Sequence, residues 1–411
     1  MMSRSLRLRL LALLVVPGAL SVRADEPAWK KHEVNAKSVF EGAGVFDVDG
    51  DGKLDIVSGD TWYNAPDWTP YPVRKVTKTG TYRNCFSTLP MDVNGDGKTD
   101  FITCSYFEKN VGWVENPGVK GQPWTYHEVD KPGNSEAAVL VDLDGDGKPD
   151  VLPNSVNVVA WYSLESPSSQ PSWKKHDFGT LAAGHGVGSG DVNLDGRVDL
   201  LTPKGWFEAP SDPKTASSWT WHPDWNLGAA GIQILAKDLD QDGKVDLVFG
   251  MGHAFGLYWA KQETGPDGKA AWTKLPIDEK LSSVHVLSWV DLDGDGAANE
   301  LLTGKRVYAH EIEAGDVEPS VIAYYTFKPD STGGAWKKHP IFEGEHANKD
   351  TPKEGPKRDA QKDFPAGTAG TGLEVPVVDM DGDGDLDLVC PGKSGLYWFE
   401  NPLKSPAKAA N

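Results

Sequence analysis

An acidic nonapeptide recurs seven times along this chain, and no other feature restricts the possible fold so tightly. Each copy has Asp at position one, Asp or Asn at three, Asp-Gly at five and six, and Asp or Asn at nine. The side chains that can converge are Asp47, Asp49, Asp51 and Asp55 in the first copy and Asp92, Asn94, Asp96 and Asp100 in the second. They are Asp142, Asp144, Asp146 and Asp150 in the third, then Asp191, Asn193, Asp195 and Asp199 in the fourth. Asp238, Asp240, Asp242 and Asp246 make the fifth, Asp291, Asp293, Asp295 and Asn299 the sixth, and Asp379, Asp381, Asp383 and Asp387 the seventh. Carboxylates this crowded repel one another unless a hard cation lies among them. Calcium takes six to eight oxygen ligands at ~2.3–2.6 Å, and Gly at position six permits the sharp turn. Up to seven structural calcium ions are expected. The sixth copy, with neutral Asn299 followed by Glu300, departs furthest and should bind most weakly.

This pattern also explains the charge. The chain of 411 residues carries a formal net charge of −19, of which seven dications would offset fourteen. The acidity is a metal-site signature, and it argues against nucleic acid, which demands a positive surface.

The copies start 45 to 53 residues apart, except for a final interval of 88. Such a period suits a four-stranded propeller blade. Two other signatures keep the same phase. Aromatic residues follow each loop, as in Trp62-Tyr63 and Trp161-Tyr162. A Trp-x-x-His segment precedes the next, beginning at Trp29, Trp68, Trp124, Trp173, Trp219, Trp272 and Trp336, with His in five of the seven. Each unit therefore reads as an inner strand, an acidic loop, a second strand, an aromatic third strand and an outer Trp-x-x-His strand. The first such segment precedes every loop and the last aromatic strand has none after it. The expectation is an all-β, seven-bladed propeller whose N-terminal segment supplies the outer strand of the last blade and so removes open sheet edges. It spans 25–405, with insertions at 311–319 and 344–372 and a tail at 406–411. Both insertions should rise on the face away from the acidic loops, as lids or solvated excursions.

Residues 1–24 read as a secretory signal, with Arg4, Arg7 and Arg9 before an apolar run and a small-residue cleavage site near Ala24. A secreted or periplasmic protein with no membrane span is expected. Cys85 and Cys104 flank the second loop and could form a disulfide; buried free thiols are the plainer reading.

Five to eight positions before each acidic loop stands one polar residue: Glu41, Asn84, Glu136, His185, Gln233, His285 and Glu374. In a propeller these sit where the innermost strand begins, at the channel mouth opposite the loops. A second set follows the second strands on that face: Asp60, Tyr106, Asn154, Lys204, His253, Lys305, Arg306 and Lys393, with Arg83 beside Asn84. Imidazole and carboxylate together can bind a transition metal or exchange protons. One further divalent ion at the mouth is therefore considered. Alternatively, the polar ring merely lines a wet channel.

The seven in-phase loops resemble FG-GAP or VCBS repeats, the calcium-loop blades of integrin α-subunit heads and of many secreted bacterial proteins. The propeller also looks like that of aldos-2-ulose dehydratases and, more loosely, of rhamnogalacturonan lyases. That resemblance implies a carbohydrate lyase or dehydratase, acting on a small sugar or polysaccharide by proton abstraction and β-elimination. His185 or His285 would then be the general base, and Glu41, Glu136 or Glu374 would orient it or bind metal. Lys204, Lys305 or Arg306 would stabilise the oxyanion. Arg83, Asn84, Tyr106, Gln233, His253 and Lys393 would contact substrate. The alternative is a non-catalytic glycan- or protein-binding propeller with structural calcium.

Overall fold

The computed structural model describes residues 28–403, apart from 217, 311–314, 331–333, 349–350 and 352–357. The expected signal segment and the tail at 406–411 lie outside the described residues. The fold is all-β in a propeller arrangement, with one short helix, Ala360–Asp363, among the described residues.

Each repeat folds as an antiparallel meander because its sequence alternates short β-branched and aromatic runs with Gly, Asp and Asn turns. The first repeat is typical. Gly44–Phe46, Asp55–Ser58, Thr61–Asn64 and Thr69–Pro72 pair in order, inner to outer. The strand Lys30–Asn35 pairs with Leu396–Glu400, in register His32 to Trp398, and so becomes the outer strand of the last sheet.

The sheet count departs from the expectation of seven separate blades. Five sheets are separate and four-stranded; the strands of the fourth and fifth repeats form one eight-stranded sheet. The two inner strands, Gly188–Gly190 and Ile234–Lys237, pair in parallel, Gly188 opposite Ile234. The cause is the absence of side chains. A Cβ on Gly188 would lie 1.9 Å from the Ile234 carbonyl oxygen, and one on Gly190 2.6 Å from the Ala236 Cβ. Only glycine lets these backbones come within bonding distance.

Apolar cores lie between consecutive repeats. Phe46, Val57 and Trp62 of the first pack on Phe101 and Val114 of the second. Val389, Leu396 and Trp398 of the seventh pack on Val45, Ile56 and Tyr63 of the first, which closes the ring. The Trp-x-x-His histidines serve this packing. His32, His127, His176 and His222 stack on Trp398, Trp113, Trp161 and Trp206 with centroids 3.6–4.3 Å apart, and His339 stacks on Tyr324. Cys85, Cys104 and Cys390 are buried free thiols, so no disulfide forms at the second loop.

The described parts of the insertions are packed against the mouth face. Gln361 donates to the carbonyls of Ser38 and Lys393 at 3.0 and 2.8 Å, and Tyr308 donates to Asp363 at 2.9 Å. A two-stranded ribbon, Lys78–Thr79 with Tyr82–Arg83, joins them on this side. The insertion at 344–372 is thus a wall of the mouth over its described length.

Candidate metal centre at the channel mouth

The acidic loops form as the sequence requires, and they divide the labour among their carboxylates. The position-nine side chains of six loops are buried. Asp55 accepts the amide of Val48 at 3.1 Å and that of Ala65 at 2.7 Å, so it ties the loop to the third strand. Asp100, Asp199, Asp246 and Asp387 repeat both bonds. In the sixth loop Glu300 takes over this work and accepts from the Leu292 amide at 3.0 Å. Asn299 instead meets Lys237. The position-one, -three and -nine carboxylates of the first loop lie within 4.8 Å of one another, as do positions one, three and five of the third, fifth and sixth. Oxygen-only donor sets of this kind fit calcium.

On the opposite face the chain assembles a different donor set. Glu136, His185, His253 and His285 present ligand atoms that all lie within 4.8 Å of one another. The His185 Nε2 is hydrogen-bonded to the Glu136 carboxylate and lies 3.0 Å from the His253 Nε2. His285 Nε2 stands 4.0 Å from the Glu136 Oε2. Four elements far apart in sequence supply these groups because each stands at the inner end of a different repeat.

The surrounding bonds fix their states. Arg306 is fully buried and clamps two carboxylates: its Nε donates to Glu41 at 2.7 Å and its Nη1 to Glu136. Burial acts to raise the Glu136 carboxyl, but Arg306 and then His185 outweigh it and hold it well below the usual carboxylate range. His285 donates from Nδ1 to the Ser283 carbonyl at 3.1 Å. Burial, then the Arg306 charge, keeps it far below the ordinary imidazole value. Burial and the neighbouring His185 and His310 push His253 down to about 3. Asn154 accepts the amides of Glu136 and Ala137 at 2.7 and 2.8 Å and donates to the His185 carbonyl at 2.9 Å. One side chain thus sets the spacing of two donors.

The hydrogen bonds among these residues leave imidazole nitrogens unmatched. With Glu136 ionised, the His185 Nε2 must carry a proton to bond it, which leaves no lone pair for His253. The His285 Nε2 is buried with no hydrogen-bond partner. An orphaned imidazole nitrogen, oriented by a backbone carbonyl on its other nitrogen, has the form of a metal ligand with its supporting bond. Three imidazoles and one carboxylate suit zinc, iron, copper or nickel.

Other expected site residues are placed elsewhere. Glu374 lines a central channel cavity of about 360 Å³, with Gln233, Val286 and Leu287. It accepts from the Thr88 amide at 2.9 Å, and burial pushes its carboxyl up to about 8. Lys305 is buried and donates to the carbonyls of Asp316 and Glu318, and burial pulls its ammonium down to about 7. Lys204 is exposed and bonds the Ala183 carbonyl at 3.0 Å. Asn84 folds back onto Thr77 at 2.7 Å, and Tyr106 accepts from Asn134 through its carbonyl. Asp60 bonds its neighbour Thr61. Lys393 donates to the Tyr308 carbonyl at 2.5 Å and lies 3.9 Å from Glu41. Sequence reasoning assigned His253 to substrate and missed His310, whose ring stacks on it at 4.0 Å. His310 stands at the edge of the insertion, outside the repeat, so no periodicity marks it.

Residues 92–152 match the FG-GAP-like repeat family, which covers the second and third acidic loops. This segment of the propeller is therefore FG-GAP-like, as the loop pattern led us to expect. Among curated proteins none matches in sequence. Among solved structures, the chain is similar to the V. cholerae biofilm matrix protein Bap1, at 16% identity and a TM-score of 0.36. That match covers 74% of this chain and 53% of Bap1, so the chain spans about half of that protein's length. It is also similar to an Agrocybe aegerita lectin that recognises non-reducing terminal N-acetylglucosamine, at 18% identity and a TM-score of 0.42 over 74% of this chain and 81% of the lectin. Neither is an aldos-2-ulose dehydratase, and that narrower likeness stays an expectation.

Proposed function

We propose that this chain is an exported propeller with calcium in its acidic loops and one transition-metal ion at its channel mouth, and that it acts on carbohydrate as a lyase or dehydratase. The observation that carries this reading is the convergence of Glu136, His185, His253 and His285 with a buried, unpartnered Nε2 on His285. The eight-stranded sheet is taken as two blades sharing an inner edge, which restores a sevenfold ring. Calcium is supported by the converging loop carboxylates, and export by the sequence of residues 1–24.

Glu136, His185, His253 and His285 would hold a divalent ion, which when bound would supply Lewis-acid polarisation of a substrate carbonyl or carboxylate. The protein's own groups account for the rest. Arg306 keeps Glu136 ionised, Ser283 orients His285, and Asn154 spaces Glu136 from His185. Access lies on the His185 and His253 side, since His285 is fully buried. His310 is the imidazole beside the cluster that can take a proton from the carbon next to the carbonyl. The released electron pair forms the C=C bond, and the C–O bond at the adjoining carbon breaks with its oxygen leaving. The general base thus moves from His185 or His285, which the donor set claims, to His310.

One observation favours the binding alternative. Arg306 is held by two carboxylates and Lys305 by two carbonyls, so two of the three cations named for the oxyanion do not face open space. The test is metal analysis joined to a screen of keto-sugars and uronate polysaccharides for an ultraviolet-absorbing enone or unsaturated product. His253→Ala should lose one equivalent of transition metal and all product, with its melting temperature in calcium within a degree or two of the parent. Undiminished product from the variant would remove the centre from the reaction. Bound metal without product from any sugar would leave the binding reading.

A further inference from the structure

We infer that a second site on the mouth face binds an anionic group of the saccharide, a uronate carboxylate or a sulfate ester. This deepens the carbohydrate reading above and rests on it. The site is a cavity of about 330 Å³ between the ribbon Lys78–Thr79/Tyr82–Arg83 and the helix Ala360–Asp363. Five cations line it, Lys78, Arg83, Arg358, Lys362 and Lys393, against one carboxylate, Asp359. In a chain of net charge −19 this is a local reversal of sign.

The cations are unevenly committed. Lys362 pairs with Asp359 at 2.7 Å, and Arg358 with Asp316 at 3.1 Å. Lys393 is anchored on the Tyr308 carbonyl. Lys78 and Arg83 form no ion pair among the described residues. Two cations therefore face the cavity without a counter-charge, and a planar guanidinium can grip a carboxylate or sulfate with two parallel hydrogen bonds.

Two further features suit a sugar. The Lys393 ammonium sits 4.1 Å from the centre of the Tyr82 ring, and Phe107 adjoins that ring at 5.3 Å with 37% of its surface exposed. An exposed aromatic face beside a cationic pocket offers apolar contact to a pyranose and charge to its acidic substituent. Buried side chains tie the cavity wall to the metal cluster: Lys393 lies 3.9 Å from Glu41, which shares Arg306 with Glu136.

The experiment is calorimetric binding to the full chain in calcium, using a β-1,4-linked glucuronate tetramer, its sulfated counterpart and the neutral glucose tetramer. We expect the acidic tetramers to bind at least tenfold more tightly than the neutral one. Which of the two binds better identifies the substituent. Arg83→Ala and Lys78→Ala should each weaken acidic binding about tenfold with melting unchanged, and Arg83→Lys should recover part of it. Equal binding of acidic and neutral tetramers, or full affinity in both alanine variants, overturns the inference. A product assay on the parent chain, run beside the same titration, separates the two readings. Acidic binding retained without any elimination product keeps this pocket and discards the lyase. Product from neutral sugars alone, with no acidic preference, does the reverse.

Discussion

The two faces of this ring handle charge in opposite ways. On one, each acidic loop draws its carboxylates from nine consecutive residues and satisfies them largely with its own amides, such as Gly50 and Gly52 on Asp47. The remaining negative charge looks outward, trimmed by rim cations such as Lys53 on Asp51, Arg197 on Asp195 and Lys244 on Asp242. Exposed pairs of that kind contribute little. On the other face Arg306, with Lys393 beside Glu41, balances Glu41 and Glu136 from inside the protein, and what is left over is lone pairs on imidazole. On the function proposed above, ions from solution would hold the shape of the loop face, whereas at the mouth an ion would only complete a donor set.

The contrast can be broken most forcefully by chelation. Each loop saturated at a hundredfold excess over Kd is stabilised by about 2.7 kcal/mol, so stripping several should lower the melting temperature by on the order of 10–20 °C. Calorimetry with and without a calcium-selective chelator reads this. An unchanged melting curve would remove the ions from the loop face. Next in size is Arg306→Met, which leaves Glu41 and Glu136 buried without their partner. A loss of about 3–5 kcal/mol is expected in denaturant melts, with loop calcium affinity unaltered.

A third effect, confined to a pH window, concerns Glu374 in the channel between the two faces. Burial raises its carboxyl to about 8 in the folded chain, against an ordinary value of 4.5. The folded state therefore holds this proton more tightly than the unfolded one. Its contribution to stability is full below pH 4.5 and is lost as pH rises through 8. Glu374→Gln should flatten the stability profile across that window and leave the acid side unchanged. A wild-type slope in the variant would assign the titration to another group.

What could be read in advance follows from the same contrast. The loops, the outer-strand closure and the Trp-x-x-His outer strands were legible because each is written in one local segment at a fixed phase. The ring of polar residues was legible as a set of positions, since the repeat carries Glu136, His185 and His285 to corresponding places. Their partners were not. Arg306 and Glu41 stand 265 residues apart, and nothing in the spacing says that the guanidinium bonds both Glu41 and Glu136 instead of facing a substrate. Position nine of the loops was read as ligand alone, because an alignment does not show that Asp55 also receives two backbone amides. The fusion of two sheets was missed for a similar reason: Gly188 and Gly190 look like ordinary turn-flanking glycines until the strand beside them is known.

The sheet that closes the ring takes its outer strand, Lys30–Asn35, from one end of the chain and its other three strands from the opposite end. During synthesis that first segment has no mate until Leu396–Glu400 emerges. The two are like the ends of a clasp, and a polypeptide interrupted anywhere between them presents two bare strand edges in place of one seam. Completeness is thereby checked by geometry, before any site on either face can operate.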